Sequence, residues 1–117
     1  MTNETTDQNI GYEALYKETL KTIDDDVKNI PILLYMKGTK SMPLCGFSGR
    51  VVEILHELGC DFETRNVLDD EILREAIKEY SDWPTLPQLY VNSTFIGGCD
   101  IVTQMFETGE LKKIIDE

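Results

Sequence analysis

The chain has 117 residues, the size of one domain, with 41% apolar and 28% charged residues, enough for a core and a well-hydrated surface. Acids outnumber bases 22 to 11, for a formal net charge of −11. That balance repels a phosphate backbone and an anionic membrane face, so neither nucleic acid nor membrane is an expected partner.

No stretch approaches the roughly 18–20 apolar residues that span a bilayer. The polar start from Met1 to Asn9, with Glu4 and Asp7, carries neither a secretory nor a transit pattern. The three cysteines, 45, 60 and 99, form no close pair. They argue against a disulfide-stapled domain and for a reducing compartment, the cytoplasm.

In chain order, residues 1–10 lack apolar periodicity and are expected as a disordered tail, with one domain over 11–117. Tyr12, Leu15, Tyr16, Leu20, Ile23 and Val27 recur at helical spacing and stop before Pro31. Ile32 to Met36 is a short apolar run suited to a buried strand. A loop with Gly38 and Pro43 leads to a second helix from Cys45, with Gly59 as its stop. Phe62 to Val67 reads as a second strand, and Asp69 is placed to cap a third helix carrying Ile72, Leu73, Ala76, Ile77 and Tyr80. After the loop with Pro84 and Pro87, Gln88–Val91 and Thr94–Ile96 form a hairpin across Asn92-Ser93. Gly97-Gly98 turns the chain into a fourth helix, and Gly109 separates it from a short last one.

The order αβαβαββαα makes the first two strands parallel with a right-handed crossover, and the hairpin adds an antiparallel edge. The expected class is α/β, a four-stranded mixed sheet flanked by helices on both faces, which is the thioredoxin-like layout. The loops holding Cys45 and Pro87 then meet at one end of the sheet.

Cys45-Gly46-Phe47-Ser48 follows a strand and opens a helix. The unpaired N–H groups and partial positive charge of a helix start favour a thiolate. Cysteines so placed have pKa values lowered from about 8.5 into the range of roughly 3.5–7.5. Lys37, at the end of the first strand, is a second source of positive charge. The plain alternative is a small buried apolar residue. Ser48 stands where a Cys-x-x-Cys motif has its second thiol, so no local two-cysteine cycle is open. The thiolate is left to exchange with a small external thiol, to meet a distant cysteine, or to bind metal.

Lys37-Gly38-Thr39, Cys45-Gly46-Phe47-Ser48, Trp83-Pro84-Thr85-Leu86-Pro87-Gln88-Leu89 and Gly97-Gly98-Cys99-Asp100 together resemble the monothiol glutaredoxins. The match runs from about Ile23 to Ile115, with Lys40 where many members have proline. The resemblance implies a glutathione site. Lys37 would contact the tripeptide beside Cys45 and Phe47, and Lys37 with Arg74 or Gln88 would hold the glycine carboxylate. Thr85 and Leu86, before a cis Pro87, would pair with the cysteinyl backbone. Cys99 and Asp100 would hold the γ-glutamyl end. Arg74 on a solvated helix face and Gly97-Gly98 as an ordinary turn are the bland readings. Cys60, His56 and Trp83 are expected to be structural: an idle thiol, a solvent-facing ring and a packing anchor.

The resemblance further implies a [2Fe–2S] cluster with Cys45 as its metal ligand. Two chains would share it as a cluster-bound homodimer, monomeric as apoprotein, with two glutathione thiols completing four ligands. Acceptor apoproteins and a bolA-type regulator are the implied partners. The alternative is a glutathione-dependent thiol–disulfide oxidoreductase acting on glutathionylated proteins, with Cys45 as the attacking thiolate.

Overall fold

A computed structural model describes residues 3–117, with side chains from Gly11 onward. The first helix, α1, spans Asn3–Asn29. Its backbone thus begins before the Tyr12 start that the periodicity predicts, and Met1 and Thr2 of the expected tail lie outside the described residues. The other elements are β1 Ile32–Met36, α2 Gly46–Glu57, β2 Glu63–Asn66, α3 Glu71–Ser81, β3 Gln88–Val91, β4 Thr94–Gly97, α4 Cys99–Thr108 and α5 Glu110–Asp116. No helix among the described residues is long and apolar enough to cross a membrane.

The sheet has four strands in the order β2-β1-β3-β4. β1 runs parallel to β2 and antiparallel to β3, and β3 is antiparallel to β4. β1 is apolar throughout because both of its faces are covered. Ile32, Leu34 and Met36 pack with Val51, Ile54 and Leu55 of α2 and with Val102 and Leu111 of the last two helices. Leu33 and Tyr35 pack on the other side with Ile23 and Val27 of α1 and Ala76 and Ile77 of α3. Side chains alternating across a strand therefore feed two cores. The hairpin turns on Asn92 and Ser93, with φ of 49° and 71°, the two positive values of a tight type I′ connection.

One expected cap is corrected. Asp70, not Asp69, starts α3: its Oδ1 accepts from the N–H groups of Ile72 and Leu73 at 3.0 and 3.1 Å. Asp69 belongs to the preceding turn, its N–H donating to the Asn66 carbonyl at 3.3 Å. Asp70→Ala is expected to cost about 1 kcal/mol of stability in urea unfolding, whereas Asp69→Ala should cost little.

Candidate functional site

The parallel strands end where two loops meet. The first, between β1 and α2, folds back on itself: the Leu44 N–H donates to the Lys37 carbonyl at 3.0 Å, and Thr39 and Met42 exchange backbone hydrogen bonds at 3.1 Å each. Gly38 sits at the pinch with φ of +96°. Its N–H donates at 2.9 Å to Oδ1 of Asn66, at the end of β2. The same oxygen accepts from the Leu68 N–H at 3.0 Å, so Asn66 fastens the thiol loop to the neighbouring strand. Lys40 fixes the far side, donating to the Phe62 carbonyl with its ammonium 4.0 Å from the Phe62 ring centre.

This loop delivers Cys45 as the N-cap residue of α2, in extended conformation and without a side-chain cap bond. Its thiol lies below the ordinary cysteine pKa. The chief cause is the backbone N–H of Ser48, opposed by partial burial and aided by the Phe47 N–H, the Ser48 hydroxyl and the Lys37 charge. These are the orphan donors of a helix start, near enough to favour the anion although none makes a hydrogen bond to the sulfur. Ser48 is fully buried, and its Oγ accepts the Lys37 backbone N–H at 3.1 Å. The serine therefore ties the end of β1 to the first turn of α2.

The second loop, between α3 and β3, has a cis Leu86–Pro87 bond. Thr85 and Leu86 line a cleft of about 340 Å³ together with Lys37, Cys45, Phe47 and Arg74. Lys78, one helical turn beyond Arg74, joins them there. Sequence reasoning missed Lys78; the four-residue spacing from Arg74 was the available signal. Phe47, Thr85 and Leu86 also border an adjoining cleft of about 210 Å³ that holds Pro87, Cys99 and Asp100. The two clefts thus share a wall and run past Cys45 toward the start of α4.

At that start, Gly98 is the N-cap of α4 and contributes no side chain to its first N–H groups. A Cβ there would come within 3.3 Å of the Pro87 carbonyl oxygen and 3.6 Å of Trp83 Nε1. Glycine keeps this passage open, which is more than an ordinary turn requires. Trp83 packs on Phe95 with ring centres 5.8 Å apart, and its buried Nε1 finds no partner among the described residues.

Gln88 does not reach the cleft, contrary to the role implied for it. It is fully buried, and its Nε2 donates to the carbonyls of Trp83 and Thr85 at 3.1 Å each. Its place beside Tyr90 on one face of β3, where the Tyr90 hydroxyl donates to Oε1 at 3.3 Å, makes it a brace for the proline loop. Arg74, half-buried at the cleft, is more than a solvated helix position.

The remaining thiols differ from Cys45. Burial pushes the Cys60 thiol up, and its Sγ donates to the Leu55 carbonyl at 3.4 Å. Cys99 lies 3.9 Å from the Thr103 hydroxyl at the cleft wall. His56 is exposed, with its ring centre 5.3 Å from that of Phe62.

Comparison with known proteins places this arrangement. The glutaredoxin family model matches residues 32–96. "Probable monothiol glutaredoxin 2" of Rickettsia typhi is 52% identical over 100 residues, covering 86% of this chain and 90% of that protein. "Monothiol glutaredoxin-5, mitochondrial" of Saccharomyces cerevisiae is 49% identical over 106 residues, covering 88% of this chain and 71% of that protein. The solution structure of reduced poplar apo GrxS14 superposes with a TM-score of 0.73 at 48% identity, covering 82% of this chain and 88% of that one. With a helix-capping Cys45, a serine three residues on and a thioredoxin-like sheet beneath them, the chain belongs to the monothiol glutaredoxins of the glutaredoxin family.

Proposed function

We propose that the protein binds glutathione along the double cleft and, with it, carries a [2Fe–2S] cluster between two copies of the chain for delivery to acceptor proteins. The observation that carries the reading is the setting of Cys45: an acid-shifted thiol, without a partner thiol in its motif, at a cleft lined by Lys37, Arg74 and Lys78. In a chain of net charge −11, three cations lining one cleft suit an anionic ligand.

The donor set fits glutathione. Lys37, Arg74 and Lys78 match a terminal carboxylate, and the backbone of Thr85-Leu86 at the cleft wall, just before β3, suits main-chain pairing. The open first turn of α4 suits a second carboxylate, with Asp100 beside it for an ammonium. Gln88 acts by holding the Thr85 carbonyl in place.

Among the described residues no group of three or more His, Cys, Asp or Glu side chains gathers to hold a metal. A cluster wanting four thiolate ligands would therefore take one Cys45 from each of two chains and the remainder from glutathione. Met42, Leu44 and Phe47 around the thiol are 67%, 63% and 62% exposed, an apolar rim suited to covering by a second chain or an acceptor. Such a rim would serve a bolA-type regulator equally.

The test is anaerobic reconstitution with iron, sulfide and glutathione. Expected are a visible absorption band and a shift from monomer to dimer, both glutathione-dependent and both lost in Cys45→Ser. Absence of a chromophore under these conditions overturns the carrier reading.

The acid-shifted thiol also favours a second reading. Cys45 thiolate would attack the glutathione sulfur of a glutathionylated protein and release that protein's thiolate. A second glutathione thiolate would then free Cys45, leaving glutathione disulfide. Fast turnover of a small glutathione mixed disulfide, without cluster formation, would favour it.

A further inference from the structure

The two walls of the thiol cleft come from opposite faces of the sheet. Cys45 and Phe47 stand at the start of α2, which packs in one core. Arg74 and Lys78 stand on α3, which packs with α1 in the other. The two helices belong to different cores, so the spacing between Lys37 and Arg74 has to be set at the strand ends. We propose that Asn66 sets it, as a positioning residue that holds these two cations at the separation a glycine carboxylate needs. The inference rests on the glutathione reading above and assigns a role to a residue outside the cleft.

One atom carries the argument. Oδ1 of Asn66 accepts the Gly38 N–H at 2.9 Å and the Leu68 N–H at 3.0 Å. Gly38 follows Lys37 in the thiol loop, and Leu68 opens the turn into α3. Two N–H groups converging on one point admit only the oxygen of the amide, because its NH₂ group would set donor against donor. Gly38 is buried, so solvent offers its N–H no ready replacement.

The hydrogen bonds run on from Asn66 toward both cations. On one side Asn66 pairs with Met36, the residue before Lys37, and the Val67 N–H donates to the Met36 carbonyl at 2.9 Å. On the other, the Asp69 N–H donates to the Asn66 carbonyl at 3.3 Å, and Asp70 caps α3. The Asp70 carbonyl then accepts the Arg74 N–H at 3.0 Å. Aspartate at position 66 would accept the same two bonds, but it would bring a negative charge to the loop that carries Lys37. A neutral acceptor leaves the cations to the ligand. Paired contacts to a carboxylate depend on geometry, so a loosened spacing forfeits one of them.

The experiment titrates the apoprotein with S-methylglutathione, whose blocked sulfur forms no mixed disulfide. The second ligand is the same molecule with a carboxamide in place of the glycine carboxylate, and both titrations are followed by amide chemical shifts. Wild-type protein is expected to prefer the carboxylate form about tenfold. In Asn66→Ser the hydroxyl still accepts the Leu68 N–H across a local turn but, one bond shorter, releases Gly38. Asn66→Ser and Asn66→Ala should both cut the preference to about two- to threefold while leaving affinity for the carboxamide nearly unchanged. A general loss of structure would instead weaken both ligands alike. Equal weakening of both ligands, a wild-type preference retained in Asn66→Ser, or no preference in the wild type overturns the positioning role. If S-methylglutathione does not bind the wild type, the glutathione reading fails and this inference falls with it. A preference lost in Arg74→Ala but kept in Asn66→Ser leaves that reading standing and overturns this inference alone.

Discussion

Gly38→Ala is expected to lower the stability of the apoprotein by about 2–3 kcal/mol and to uncouple Cys45 from its helix start. A Cβ at position 38 would lie 2.5 Å from the Leu44 nitrogen and 2.6 Å from the Met42 carbonyl oxygen. Both are backbone atoms of the same small loop, so no side-chain rotation relieves the clash. The φ of +96° adds strain for any residue with a side chain. Relief requires opening the pinch, which breaks the Leu44–Lys37 hydrogen bond and pulls Gly38 from Asn66. Gly49→Ala is the contrast. In the first half of α2 its Cβ would only touch the Pro43 ring, at 3.6 Å, and alanine there should raise stability by about 0.5–1 kcal/mol. Urea unfolding of both variants checks the pair; equal midpoints would remove the steric argument.

Alkylation of Cys45 in a Cys60→Ser, Cys99→Ser background should follow a titration with its midpoint below the value for free cysteine, about 8.5. Denaturant should return it there. The folded pKa is the lower one, so this thiol's contribution to stability is complete above the unfolded pKa. It is lost as pH falls through the folded value. Ser48→Ala should move the midpoint only part of the way back, because the Ser48 and Phe47 backbone N–H groups remain while the hydroxyl is lost. The same change leaves the Lys37 N–H without its acceptor, for a further cost of about 1–3 kcal/mol. A midpoint at the free-cysteine value in the otherwise native protein would contradict the helix-start explanation.

The sequence made the frame legible where one residue type answered one demand. An apolar run of five suited a doubly covered strand, and Asn92-Ser93 between two short strands suited a tight turn. The strand-to-helix position of Cys45 followed from Pro43, Gly46 and the apolar spacing beyond. Less legible were choices between equivalents and contacts across the chain. Asp69 and Asp70 carry the same side chain, and the turn that Asn66 builds with Leu68 decides which one caps α3. Gln88 and Arg74 are both polar and both near the proline loop in sequence. Strand alternation turns Gln88 inward beside Tyr90, whereas helix phase brings Arg74 and Lys78 to the cleft. Asn66 itself gave no local signal, because its partner Gly38 lies far back in the chain.

The order β2-β1-β3-β4 leaves β2 and β4 as the outer strands. Each has only four residues, and β2, Glu-Thr-Arg-Asn, is polar with charges at Glu63 and Arg65. Both outer strands are short, and the charges of β2 make that edge in particular a poor template for a neighbour's backbone. The exposed apolar rim of Met42, Leu44 and Phe47 around the thiol is then the surface on which the proposed pairing of two chains would rest.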